Sequence, residues 1–385
     1  MKEIELINLR KKREKHFLQE NGNIIAKMYQ EDIHFQKDNH YEEIDNTLME
    51  EEDYYYNKNN SYQVSFKKQC NDYFFKTVKE NYYINMKLND SNSSQIELED
   101  NHSKLYQDIK YKNVLKGIDL EYHITPNGVK EDIVISKPSD LIEEIIFDID
   151  TNLELELQNN RIIAFSNNNT VFKMEEPYII DFNGKKVHHV TYSFYKMNNI
   201  YKLTLMIDKK SLEKEEITYP IVIDPSIVVD EKNNVYDTYI YSGDTNVNRN
   251  SQDILKAGVE KVNGKEVINR TLLKFDLPTI GTGSQVVGAE LRLIGYPVLN
   301  GSYESDIVAI HRVTSSWSET SANWSNMNNK YDSKMESAFF SNRSSKDALG
   351  NIEVRMNWAD VTNLVKKWYS SVPNYGIMLK MNTEK

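Results

Sequence analysis

Apolar and polar residues alternate along most of this chain with a period of two, the spacing that puts apolar side chains on one face of a half-buried strand. Tyr62-Gln63-Val64-Ser65-Phe66 and Tyr82-Tyr83-Ile84-Asn85-Met86 alternate cleanly. Shorter strands are predicted over residues 23–29, 32–35 and 41–48, entered through polar turns such as Glu20-Asn21-Gly22 and Lys37-Asp38-Asn39-His40. From Tyr111 the strands lengthen. Residues 117–124 and 130–135 flank Pro126-Asn127-Gly128, a hairpin signal. Further runs cover 145–149, 153–157, 161–165, 178–182, 187–194 and 201–207. The acidic stretch 50–53 predicts a solvated loop, and residues 87–104 a polar surface loop or soft boundary. Residues 211–216 predict one helical turn. Tyr219-Pro220-Ile221-Val222-Ile223-Asp224-Pro225 reads as an edge strand, because proline cannot donate to a ladder.

After Pro225 the texture changes, and a polar joint at Asp230–Asn234 marks the main division. Residues 1–228 are expected to form a β-rich scaffold and residues 229–385 a second domain. Strands are predicted there at 237–240, 254–259, 270–277, 287–294, 307–313 and 377–381. One helix is predicted over 362–369, capped by Asp360 or Thr362, with Leu364, Val365 and Trp368 on one apolar face. Strands with a single short helix point to a jelly-roll β-sandwich, so the fold class is all-β throughout.

Composition narrows the function classes. A chain of 385 residues can hold two or three domains, and 39% apolar residues suits β modules with much solvent-facing surface. Tyrosine stands out at 25, against 13 Phe and 4 Trp; its ring packs on a pleated face while its hydroxyl stays wet. A net charge of −11 argues against nucleic acid as a partner, and the basic run Arg10-Lys11-Lys12-Arg13 reads as a solvated charged segment. The single cysteine, Cys70, excludes an intramolecular disulfide and any multi-cysteine metal site. The first thirty residues are broken by Arg10, Lys11, Arg13, Glu14 and Lys15, so no signal peptide is visible, and no apolar run reaches the length of a membrane span.

Two phrases in the last third carry a resemblance. One is Ile310-His311-Arg312-Val313-Thr314-Ser315-Ser316-Trp317-Ser318-Glu319, running on to Asn323-Trp324-Ser325-Asn326; the other is Asp360-Val361-Thr362-Asn363-Leu364-Val365-Lys366-Lys367-Trp368, followed by Asn374-Tyr375-Gly376. With Asp237-Thr238-Tyr239-Ile240 and Ala289-Glu290-Leu291-Arg292-Leu293, they resemble the DNRLRE-type domain, a jelly-roll module grouped with carbohydrate-binding modules. The literal string DNRLRE is absent. Upstream phrases, among them Ile33-His34-Phe35, Val129-Lys130-Glu131-Asp132 and residues 219–225, resemble the region preceding this domain in bacterial wall-associated or RHS/YD-repeat proteins, many of them polymorphic toxins. The YD repeats and toxin tip of such proteins do not occur in this sequence. A related domain would add a closing strand after residues 377–381, so the expectation is a fragment of a longer chain.

Candidate chemistry is sparse. Eight histidines are scattered, and only His188 and His189 are adjacent, pointing to opposite faces of a strand. No HExxH, GxSxG or Walker loop is present. Trp317 and Trp324 are the candidate sugar platforms, weighed against the ordinary reading that an indole fills a sandwich core. Trp368 reads as core. Asp237, Asp244 and Asp276 are candidate ligands for a structural Ca²⁺, against the ordinary role of turn aspartates in bonding local N–H groups. The resulting expectation is a protein without enzymatic activity that requires no cofactor. It would be the adhesion and scaffold region of a secreted or wall-associated RHS-type protein, with a polysaccharide or cell-wall glycan and a downstream repeat or toxin region as partners. The rivals are a purely structural module of a toxin-delivery shell and a glycan-processing enzyme, which would need two convergent carboxylates.

Overall fold

A computed structural model describes the chain except residues 1–2, 30, 100–102, 184, 230–234, 251, 253, 282, 296–306, 342–344, 347–351, 354 and 385. The polar joint Asp230–Asn234 lies outside the described residues. The protein is all-β, and it divides into two compact units, residues 1–232 and 233–385.

The first unit is a sandwich of two large antiparallel sheets. One runs, edge to edge, Val190–Met197, Ile200–Ile207, Glu144–Thr151, Tyr82–Leu88, Phe75–Lys79, Gln63–Lys67, Tyr54–Asn59 and Asp45–Glu51. The other is built on Ile96–Glu99, Gln107–Leu115, Ile118–Thr125 and Gly128–Ile135, continuing through Ile227–Val228 to Asn169–Met174, Arg161–Ser166 and Glu154–Gln158. The alternation of Ile118, Leu120, Tyr122 and Ile124 sends four side chains inward from one strand, and Val64 and Phe66 meet them from the other sheet. At the centre the Tyr122 ring stacks on Phe75 at 5.3 Å and packs against Phe66 at 5.1 Å. Such ring pairs add about 0.5–1.5 kcal/mol beyond the area they bury.

The hairpin at Pro126-Asn127 forms as its sequence predicts, with Thr125 paired to Gly128. Gly128 is required there by space: a Cβ would lie 2.3 Å from the Ile227 carbonyl oxygen. Three local expectations are corrected. Ile221–Asp224 is not an edge strand, since it pairs with both Gly128–Ile135 and Tyr178–Asp181. Pro220 and Pro225 fall just outside its ends, so no ladder donor is lost. The polar stretch 87–104 contains the strand Ile96–Glu99, which lies at the sheet edge where polar residues are tolerated. The acidic run begins inside a strand, Glu50 and Glu51 closing Asp45–Glu51.

Two of the ionisable groups held away from their ordinary behaviour lie on one hairpin of this unit. Glu131 points into the core, accepts a hydrogen bond from the Tyr122 hydroxyl and is pushed up by burial to a pKa of about 7. His123, on the outer face, bonds Asp108 at 2.7 Å and Asp132 at 3.1 Å, and these carboxylates raise its pKa to about 9.

In the second unit a larger sheet runs Val235–Tyr241, Lys265–Phe275, Ile377–Met381, Ile307–Val313 and Tyr331–Phe340, with Gly258–Val262 also on Lys265–Phe275. Ile377–Met381 is therefore paired on both sides. Both faces of this sheet are covered. Leu273, Ile310, Ile377 and Leu379 pack against Leu291, Ala359 and the helix residues Leu364 and Val365. Their neighbours Leu272, Met378 and Ile240 point the other way, onto Ala322, Met327, Trp317 and Trp324. The helix Thr362–Tyr369 forms where predicted, with Asp360 accepting from the Thr362 N–H at 2.8 Å. A second short helix, Trp324–Met327, was not expected. It rests on a capping box in which the Asn323 and Asn326 side chains each accept the other's backbone N–H.

Because the folded pKa of Glu131 lies above its ordinary 4.5, its contribution to stability is full below pH 4.5 and is lost as pH rises through about 7. Glu131→Gln is expected to remove this dependence, worth up to about 3 kcal/mol, and to unfold at higher denaturant than the parent at pH 8. Parallel urea titrations at pH 5 and pH 8 check it.

Candidate functional site

The four tryptophans have four different environments. Trp317 is half-buried, and its Nε1 donates to the Tyr375 carbonyl at 2.8 Å. That bond ties the first tryptophan phrase to the Gly376 turn, where φ of +84° and the Leu273 carbonyl 2.1 Å from a would-be Cβ demand glycine. Trp324 is half-buried beneath Arg270, whose guanidinium lies 4.8 Å from its ring centre. Arg270 also bonds Glu384 at 2.8 and 2.6 Å and donates to the Asn328 carbonyl. Trp368 is half-buried on the helix and packs against the core of the unit. The two sequence candidates, Trp317 and Trp324, thus sit in the cover of the larger sheet.

Trp358, passed over in the sequence, is the exposed one at 64%. It lies on Arg355–Asp360, which pairs with Glu290–Gly295 as a separate two-stranded ribbon. The register sets Trp358 opposite Arg292, Met356 opposite Ile294 and Asp360 opposite Glu290. The alternation is inverted relative to an ordinary surface strand. Asn357 and Ala359 turn inward, while Trp358, Met356 (46% exposed) and Ile294 (69% exposed) face solvent. Arg292 Nη2 bonds Glu290 at 2.8 Å, and the register sets both residues on the face that carries the indole. An exposed indole on a strand face that also carries a guanidinium and carboxylates offers a flat apolar surface with hydrogen-bonding groups on the same side. Trp358, Met356 and Ile294 together form an exposed apolar patch on one face of the ribbon.

The aspartates do not converge. Asp276 follows Phe275, the partner of Val235, whereas Asp244 lies beyond Tyr241 at the other end of the same strand. Seven residues of strand separate these ends by roughly 20 Å, too far for one ion. The Asp237 backbone N–H donates to Glu319 at 3.3 Å.

The ribbon and the sheet beneath it lie within a recognised module. Residues 229–385 match the model of carbohydrate-binding module family 96. Residues 76–226 match the model of a domain of unknown function, DUF7948. Three curated relatives are similar over longer stretches. The tRNA(Glu)-specific nuclease WapA of Bacillus subtilis subsp. natto is 25% identical over 414 residues, covering 99% of this chain and 17% of the relative. The tRNA3(Ser)-specific nuclease WapA of Bacillus spizizenii is 27% identical over 298 residues, 71% of this chain and 12% of the relative. The tRNA nuclease WapA of Bacillus subtilis (strain 168) is 26% identical over 298 residues, with the same shares. The chain thus spans 12–17% of the length of these relatives. No solved structure matches it.

The expectation of a protein without enzymatic activity is corrected by these relatives, which are named as tRNA nucleases. The exclusion of nucleic acid as a partner loses its ground for the same reason; a net charge summed over this chain cannot carry it. No helix among the described residues is long and apolar enough to cross a membrane.

Two stability outcomes separate cover from platform. Trp317→Ala is expected to destabilise the second unit by about 2–4 kcal/mol, through lost packing and the lost bond to Tyr375. Trp358→Ala should stay within about 0.5 kcal/mol of the parent, as exposed substitutions do. Thermal melts of the two variants beside the parent check both.

Proposed function

We propose that residues 233–385 bind a carbohydrate of the bacterial cell surface through the ribbon Glu290–Gly295/Arg355–Asp360. Trp358 is the stacking platform, and Arg292, Glu290 and Asp360 are the polar rim. The observation that carries this reading is the 64% exposure of Trp358 on a strand whose opposite face is core. The match to carbohydrate-binding module family 96 supports it. A pyranose ring presents a face of C–H groups that an indole covers without hydrogen bonds, while equatorial hydroxyls reach a guanidinium or carboxylate at the rim. On this reading the protein works in a secreted or wall-associated setting of the RHS type, with the second unit anchoring the chain to a glycan. In titrations of the 385-residue chain against purified cell-wall polysaccharides, Trp358→Ala is expected to weaken binding at least about tenfold, or 1.4 kcal/mol. Equal affinity for parent and variant would falsify the platform.

A second reading, favoured by the names of the relatives, is tRNA cleavage as the activity of the whole protein. Labelled tRNA incubated with the chain should yield discrete fragments on a denaturing gel. Intact tRNA under conditions where a purified relative cleaves it discards this reading for these residues.

A further inference from the structure

The first unit holds a cluster unrelated to the ribbon. His34 and Glu43 are direct partners in the hairpin His34–Lys37/His40–Glu43, so their side chains share a face. Glu5, from the strand Ile4–Glu5, reaches the same place. One ligand atom from each of Glu5, His34 and Glu43 lies within 4.8 Å of the others.

His34 is fully buried. Its Nδ1 lies 2.7 Å from the Lys11 carbonyl oxygen, to which it can only donate, so the tautomer leaves Nε2 with a lone pair. That buried Nε2 has no hydrogen-bond partner. A buried imidazole oriented through Nδ1 by a backbone carbonyl, with its other nitrogen open, is the arrangement of a metal-ligating histidine. Burial also lowers the pKa of His34, helped by Arg10 and Lys15, which keeps the ring neutral. Glu5 is held ionised chiefly by its bond to Arg10, and Glu43 by its bond to Lys15.

We infer that Glu5, His34 and Glu43 form a binding site for a divalent transition cation, with Zn²⁺ the best fit. One imidazole and two carboxylates suit Zn²⁺ at about 2.0–2.2 Å per ligand, whereas Ca²⁺ takes oxygen ligands alone. Tetrahedral ligand atoms at that distance are about 3.4 Å apart, so closure requires side-chain rotation of roughly an ångström. Two cations already face the cluster. Arg10 bonds Glu5 at 2.7 and 2.9 Å and Glu43 at 3.3 Å, and Lys15 bonds Glu43. Arg10 remains as the outer partner of both carboxylates. Lys15, partly exposed, gives up Glu43 to the metal and turns to solvent. The site is thus an exchange between an ammonium and a metal ion on one carboxylate.

Calorimetric titration of the chelator-stripped 385-residue chain with Zn²⁺ tests it. One saturable equivalent is expected, accompanied by a rise in Tm. His34→Gln and Glu5→Gln should each weaken binding at least about tenfold, and circular dichroism of both variants verifies the fold. Lys15→Met should strengthen binding, because it removes the competing cation. Absence of saturable binding, affinity unchanged in both glutamine variants, preference for Ca²⁺, or an affinity not raised in Lys15→Met would each overturn the site.

Discussion

A sheet strand with apolar residues on both faces can persist only if both faces are kept dry. The second unit depends on this constraint. Lys265–Phe275 and Ile377–Met381 carry Leu272 beside Leu273 and Met378 between Ile377 and Leu379. One side is dried by the ribbon and the helix Thr362–Tyr369; the other is dried by the segment holding Trp317, Trp324 and Met327. At about 25 cal/mol per Å² of apolar area, covering each face is worth far more than any single ion pair in the unit. The tryptophan phrases are the lids that this two-sided core requires. Trp317 donates its indole N–H to a carbonyl, and the ring face of Trp324 is covered by the Arg270 guanidinium.

The first unit meets the same constraint with two sheets facing each other, and its aromatic centre shows the cost of putting polar atoms there. Tyr122 and Glu131 satisfy each other inside the core, at the expense of the carboxyl's ionisation. On the outer face, where water is near, the bonds to Asp108 and Asp132 favour the protonated imidazole of His123. Sheet face, more than residue type, decides the protonation state of groups a few ångströms apart along one hairpin.

Much of the fold was legible because it rests on local periodicity. The alternation of Ile118 to Ile124, the Pro126-Asn127 turn and the apolar spacing of Leu364, Val365 and Trp368 each name their element without tertiary information. The edge assignment of Ile221–Asp224 failed because a proline excludes only its own N–H from a ladder, and both prolines fall outside the strand. Of the tryptophans in the two phrases, Trp368 read as core from its helical spacing, while for Trp317 and Trp324 the sequence left core and platform open, because nothing local says which side of the sheet they cover. No local signal set Trp358 apart, since apolar Met356 shares its face; only the pairing of the two ribbon strands shows that face turned to solvent. Glu5, His34 and Glu43 were invisible for a different reason, since only the register of the hairpin and the return of the first strand bring them together.

The ribbon that presents Trp358 has one face in the core and one face that folding does not use. Its outward residues are thereby released from the packing constraints that hold the rest of the module. Glu290, Arg292, Ile294, Met356 and Trp358 can be exchanged for other residues while Leu291 and Ala359 keep the ribbon seated. One side of the ribbon can thus change its chemistry while the side that holds the fold together stays as it is.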